Sequence, residues 1–261
     1  AAYLSLYPLL FAYLVRRLQV QRAVMYPVLW TFTEFLRGWV FTGFPWLQFG
    51  YTQIESPFAG IAPIFGVTGL TFFTMFVSAV IFNGVFAWLS APRKITMVVA
   101  NVLILAVVAL LAGYTSKAKY VQEIPEKAVN ITLVQGNIEQ NLKWDPNYLY
   151  QTMENYGRLI GDNLGKTDLI ILPEAAFPTY ENNIQPFFQM LQSMAEKTNT
   201  EVMIGTIYRD ESVGKLFNSI AVVGNKAMPY ELKTPNRYNK HHLVPFGEYV
   251  PLESLLRPLG T

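Results

Sequence analysis

Two blocks of this chain, residues 57–89 and 95–114, contain no charged side chain. An uncharged apolar run of about 18 residues or more reads as a membrane-spanning helix. Two further segments share the pattern. Residues 1–15 are apolar and uncharged, and 23–42 are apolar apart from Glu34 and Arg37. The expectation is three full spans, near 23–42, 66–89 and 95–114, with 1–15 as the tail of a fourth. The chain starts inside that first segment without an initiator Met or a basic signal-type region, so an upstream portion is expected to precede it. Composition agrees: 52% of residues are hydrophobic and only 15% are charged, against roughly a quarter in ordinary soluble domains.

The short loops fix an expected orientation. Arg16, Arg17 and Arg22 fall in the loop 16–22, and Arg93 and Lys94 in the loop 90–94, whereas 43–60 has no Lys or Arg. Basic loops stay in the cytoplasm. Both fall on one side if the spans alternate, so the last span exits on the far side and everything after Tyr114 lies outside the cytoplasm. Trp39, Trp46, Trp88 and Tyr114 sit near the expected span ends, where interfacial aromatics are enriched.

After residue 115 the pattern changes. Residues 130–138 read as a strand and turn, 148–164 as a helix, DLIIL (168–172) as a strand and 184–198 as a helix, with further strands at 201–208 and 216–224. Alternating strands and helices argue for a layered α/β domain over 116–261. Net charge is +2, and no basic stripe is interleaved with aromatics, which excludes the usual nucleic-acid binders. The chain has no Cys, so disulfides, thiolate metal sites and a cysteine nucleophile are excluded within these residues.

The candidate chemistry centres on DLIILPEAAFP (168–178). Leu169 to Leu172 form a buried-strand signature, Pro173 ends it for want of an amide hydrogen, and Glu174 follows at once. Strand mouths of this kind hold ligands in open α/β sheets. A Glu held beside apolar residues suits a general base; the alternative is a salt-bridged or helix-capping carboxylate. Lys240 lies in RYNKHHLVPFGEYVP (237–251), a run too irregular for a helix and too apolar for a solvent loop. It suits stabilisation of an oxyanion, against the alternative of a solvated lysine. Glu248 could orient Lys240 or assist proton transfer, or be a surface carboxylate. His241 and His242 are the only histidines. Adjacent histidines rarely chelate one ion, and a catalytic zinc usually takes three protein ligands, so no metal site is expected.

In the apolar half, Glu34 and Arg37 share one helix face. Ionisable groups in lipid face a bundle interior or cavity, so this pair is either a structural ion pair or faces substrate. Trp46, in GFPWLQFGY (43–51), belongs to a head-group pocket or to an anchoring belt.

Taken together, Leu172-Pro173-Glu174, the run Asn239 to Pro251 and Gly43-Phe44-Pro45-Trp46 resemble the bacterial apolipoprotein N-acyltransferase family. Its extracytoplasmic half is similar to the nitrilase, or carbon–nitrogen hydrolase, superfamily. The resemblance implies an α-helical transmembrane bundle over 1–115 followed by a nitrilase-like αββα sandwich, here incomplete. It implies an acyltransferase of the bacterial cytoplasmic (inner) membrane, multi-pass, with the nitrilase-like domain on the periplasmic side. Glu174 matches the general base, Lys240 the oxyanion-stabilising lysine and Glu248 a second glutamate near the site. Trp144, in NLKWDP, falls where the family has a tryptophan near substrate. The implied partners are a phospholipid acyl donor, a diacylglyceryl-apolipoprotein acceptor and membrane lipid, with no cofactor. The implied nucleophile is a Cys downstream of the lysine run, so truncation at both ends is expected and these residues alone are expected to be inactive. Two rivals stay open: a membrane-tethered amidase or nitrilase with another substrate, and a non-catalytic membrane-anchored binding domain.

Overall fold

A computed structural model describes residues 2–18, 25–90, 95–139 and 142–256. Arg22, Arg93 and Lys94, on which part of the expected orientation rests, lie outside these residues, while Arg16 and Arg17 end the first helix. The chain forms two compact units, one of residues 1–122 with 242–261 and the other of 123–241.

The first unit is helical: α1 Ala2–Arg17, α2 Met25–Arg37, α3 Ala62–Ser90 and α4 Ile95–Thr115. Among the described residues two helical stretches, Pro57–Phe86 and Ile95–Thr115, are long and apolar enough to cross a bilayer, with mean hydropathies of 2.0 and 2.8. Most of their apolar side chains face outward, including Phe82, Phe86, Leu103 and Leu110. The tail of a span expected at 1–15 appears as α1, whereas the full span expected at 23–42 appears as a shorter helix. α2 has 13 residues, about 20 Å of rise against a hydrocarbon thickness of ~30 Å. It stops at Arg37 because the chain turns back on itself: Phe41, Thr42 and Gly43 all have positive φ. A Cβ on Gly43 would lie 2.0 Å from the carbonyl oxygen of Gly38, so this turn requires glycine. α2 packs against α1 and α3, and α3 against α4.

The second unit is built on one five-stranded sheet: β1 Ile131–Leu133, β2 Leu169–Ile171, β3 Glu201–Asp210, β4 Lys215–Val223 and β5 Arg237–Asn239, ordered as in the sequence. β1, β2 and β3 are parallel, and β3, β4 and β5 antiparallel. Parallel neighbours need crossovers, which α5 Leu149–Gly161 and α6 Gln185–Lys197 supply. Alternation along the strands puts Ile170, Val202, Ile204, Ala221 and Val223 on one face, where they pack with Tyr156 and Ile160 of α5 and Phe188, Leu191 and Ala195 of α6. The opposite face carries Ile131, Leu133, Ile220 and Tyr238, all exposed. Among the described residues helices cover one face of a single mixed sheet, and the second sheet and helix layer of the expected αββα sandwich are not among them. The strand and turn expected at 130–138 appear as β1 Ile131–Leu133 followed by a bend in which Asn137 has positive φ.

Candidate active site

β2 delivers Glu174. The amide of Leu172 donates to the Met203 carbonyl at 2.9 Å, which continues the ladder past the strand end. Pro173 then releases the chain, and Ala175 adopts positive φ. The amide of Ala176 donates to the Gly205 carbonyl at 2.8 Å. Gly205, mid-strand in β3, is pressed against this bend: a Cβ there would lie 2.2 Å from the Pro173 oxygen and 2.8 Å from the Glu174 Cα. Glu174 is thereby fixed through its main chain while its side chain stays 64% exposed.

Lys240 arrives from β5. Its Nζ lies 3.5 Å from Glu174 Oε1, with its own side chain 29% exposed. Asn218 on β4 joins the two: its side-chain amide donates to Glu174 Oε1 and its carbonyl accepts from the Lys240 amide at 2.8 Å. The arrangement sets a carboxylate able to take a proton beside an ammonium able to hold an anion, with an amide orienting the carboxylate. Lys143 adds a second ammonium, donating to the Glu174 main-chain oxygen at 3.2 Å and lying 5.8 Å from the centre of the Trp144 ring. Trp144, half exposed, is thus linked to the Glu174 backbone through Lys143.

The sequence reading missed Asn218 and Lys143. The signal for Asn218 was the polar pair Asn218-Ser219 inside the otherwise apolar LFNSIAVV, and for Lys143 its place beside Trp144. The two histidines engage different partners: His241 Nδ1 lies 3.0 Å from the Tyr238 hydroxyl, and the His242 ring nitrogen bonds the Thr42 carbonyl. Glu248, in the first unit, accepts from the Val244 amide at 2.8 Å and closes the turn that holds Phe246 at positive φ.

In the helical unit Glu34 is 5% exposed. Its carboxylate accepts from the Phe49 amide at 2.9 Å, the Thr71 hydroxyl at 2.5 Å and Arg37 at 3.3 Å. Thr71 in turn accepts from the Gly50 amide, and Arg37 donates to the Leu47 carbonyl at 3.1 Å. The pair therefore grips the loop that carries Trp46, whose own ring is half exposed and 4.8 Å from that of Phe44.

Residues 130–261, slightly more than half of the chain, match the family described as carbon–nitrogen hydrolase. The chain belongs to that family. Residues 1–80 match the N-terminal domain of apolipoprotein N-acyltransferase. Relatives named apolipoprotein N-acyltransferase occur in Pasteurella multocida, 63% identical, and Haemophilus influenzae, 62% identical, each over the whole of this chain and 50% of the relative. A relative of the same name in Haemophilus ducreyi is 49% identical over 98% of this chain and 49% of its own length. The chain spans about half the length of these relatives. A crystal structure of an N-terminal amidase is 24% identical, covering 43% of this chain and 28% of its own, at a TM-score of 0.30. In this carbon–nitrogen hydrolase chain the matched residues 130–261 include Glu174, Asn218 and Lys240.

Proposed function

We propose that this chain carries part of the machinery of an apolipoprotein N-acyltransferase, an enzyme that moves an acyl chain from a phospholipid to the α-amine of diacylglyceryl-cysteine. The observation that carries the reading is the convergence of Glu174 and Lys240, 3.5 Å apart, at a strand mouth in a carbon–nitrogen hydrolase domain. Homology to proteins of that name, and the apolar outward faces of α3 and α4, support it.

The reaction is a two-step exchange. A cysteine thiol loses its proton to Glu174 and attacks the donor ester carbonyl, and the Lys240 ammonium holds the oxyanion. The intermediate collapses to a thioester, and the departing lysophospholipid oxygen takes the proton back from Glu174. The acceptor amine then attacks the thioester, gives up its proton through Glu174, and the thiol is restored. These 261 residues contain no Cys, so on their own they form no thioester. Glu248 acts as a second carboxylate of the site. Trp144 and Trp46 contact substrate, and Glu34 and Arg37 serve by holding the Trp46 loop.

In this reading the protein is a multi-pass bundle in the bacterial cytoplasmic membrane, with a nitrilase-like αββα domain outside the cytoplasm. The arrangement of basic and uncharged segments supports this, since the acceptor is met at the outer leaflet. The test uses membranes that express the complete coding sequence containing these residues, supplied with phospholipid labelled in its acyl chain and a diacylglyceryl-cysteine peptide. Labelled N-acyl peptide is the expected product. Hydrolysis of soluble amides without acyl transfer would overturn the reading in favour of a membrane-tethered amidase.

A further inference from the structure

We infer that the buried Glu181–Arg237 pair is a positioning clamp that sets the Glu174–Lys240 geometry; the term positioning rests on the catalytic reading of that pair. Glu181 is fully buried and the Arg237 side chain is 6% exposed. The guanidinium donates to both carboxylate oxygens, with Nη1 at 2.8 Å from Oε2. The Tyr230 hydroxyl donates to Oε1 at 2.8 Å, and the guanidinium lies 4.3 Å from the centre of the Tyr208 ring.

Burying two ions is a weak route to stability, because apolar residues of similar volume often serve as well. A two-pronged Arg–carboxylate pair supplies fixed distance and angle instead. Its place in the chain says what it fixes. Glu181 terminates the segment that starts at Glu174, and that segment is rigid: Ala175, Ala176 and Phe177 are buried, and Tyr180 bridges to Ile207 of β3. Arg237 opens β5, and Lys240 follows its last residue. Among the described residues β5 has three residues and pairs with β4 alone; Asn239 ties it to Ser219 of β4 at 2.7 Å, and Arg237 is the side chain that ties it to Glu181. The clamp therefore ties the arm that bears the carboxylate to the strand that bears the ammonium.

The test needs neither nucleophile nor substrate. The 261-residue chain in detergent micelles is treated with a carbodiimide, which joins only carboxylates and amines in direct contact, and the linked peptides are quantified by mass spectrometry. The readout is the ratio of Glu174–Lys240 links to Glu174 coupled to added glycine amide, which cancels differences in Glu174 activation. With Arg237→Lys, which keeps the charge but loses the fork, the ratio should fall about tenfold, as for the loss of one charge-assisted hydrogen bond. Tyr230→Phe, which leaves the ion pair intact, should lower it about threefold and covers the case in which Arg237→Lys fails to fold. Leu191→Ala, a core truncation on α6, should leave it unchanged. An unchanged ratio in folded Arg237→Lys or Tyr230→Phe, or an equal fall in Leu191→Ala, overturns the clamp. Failure of acyl transfer with the ratio shifted as expected would overturn the catalytic reading and not the clamp.

Discussion

Gly205→Ala is the sharpest perturbation of the strand mouth. Gly205 does not have positive φ, so alanine meets no backbone penalty and any effect comes from space alone. The added methyl would sit 2.2 Å from the Pro173 oxygen, and a normal carbon–oxygen contact of ~3.3 Å demands a shift of about 1 Å between β3 and the bend. All three nearest atoms, the Pro173 oxygen and carbonyl carbon and the Glu174 Cα, belong to backbone, so no side chain can swing away. Overpacking of this kind costs about 1–3 kcal/mol, and strain on the 2.8 Å bond from Ala176 to Gly205 adds about 1 kcal/mol. A total of about 3 kcal/mol lowers Tm by roughly 10 °C. Differential scanning fluorimetry in detergent measures the shift, and hydrogen exchange at the Ala176 amide reports whether the bend itself has opened. A Tm within about 2 °C of wild type together with unchanged protection of Ala176 would refute the close-approach argument.

Other consequences follow from the buried polar groups. Glu34→Ala leaves Phe49, Thr71 and Arg37 without their shared acceptor, and thermal unfolding in detergent should show a loss of about 3–5 kcal/mol; Glu34→Gln, which keeps an acceptor oxygen, should lose less. The Tyr230 hydroxyl is pushed above the ordinary tyrosine value of 10.0 by burial and by the Glu181 charge, and that of Tyr156 is pushed up by burial. A raised folded value means the unfolded chain releases the proton first, so stability holds below pH ~10 and falls as pH rises further. Denaturant unfolding followed across pH 9–12 should show that decline, and Tyr230→Phe should make it shallower; an equal slope would contradict the assignment.

Much of the α/β unit was legible because its periodicity is local. The helix expected at 148–164 appears as Leu149–Gly161 and that at 184–198 as Gln185–Lys197, each with one apolar face. The strands at 201–208 and 216–224 appear nearly in place. What was not legible depends on contacts distant in sequence. β5 has three residues and no period to read, and the run 237–251 suggested only irregular structure. Asn218 becomes part of the site because β4 pairs with β3 and β5, which strand-by-strand reading does not supply. The approach of Lys240 to Glu174 was expected from resemblance, whereas the Glu181–Arg237 clamp was not expected at all. In the apolar half, hydropathy marked the two stretches that form the long apolar helices Pro57–Phe86 and Ile95–Thr115. It did not show that α2 ends at Arg37, because the turn at 38–43 is made by backbone conformation and not by polarity.

The most direct test of the account is the formation of the acyl-enzyme itself. The protein expressed from the complete coding sequence containing these residues is mixed with labelled phospholipid, and hydroxylamine-labile label on the protein is followed in a single turnover. Glu174→Gln keeps the oxygen that Asn218 contacts but cannot accept the thiol proton, so acylation should slow by about 10²–10⁴-fold with the fold unchanged. Acylation of Glu174→Gln at the wild-type rate would contradict the central claim that Glu174 is the general base.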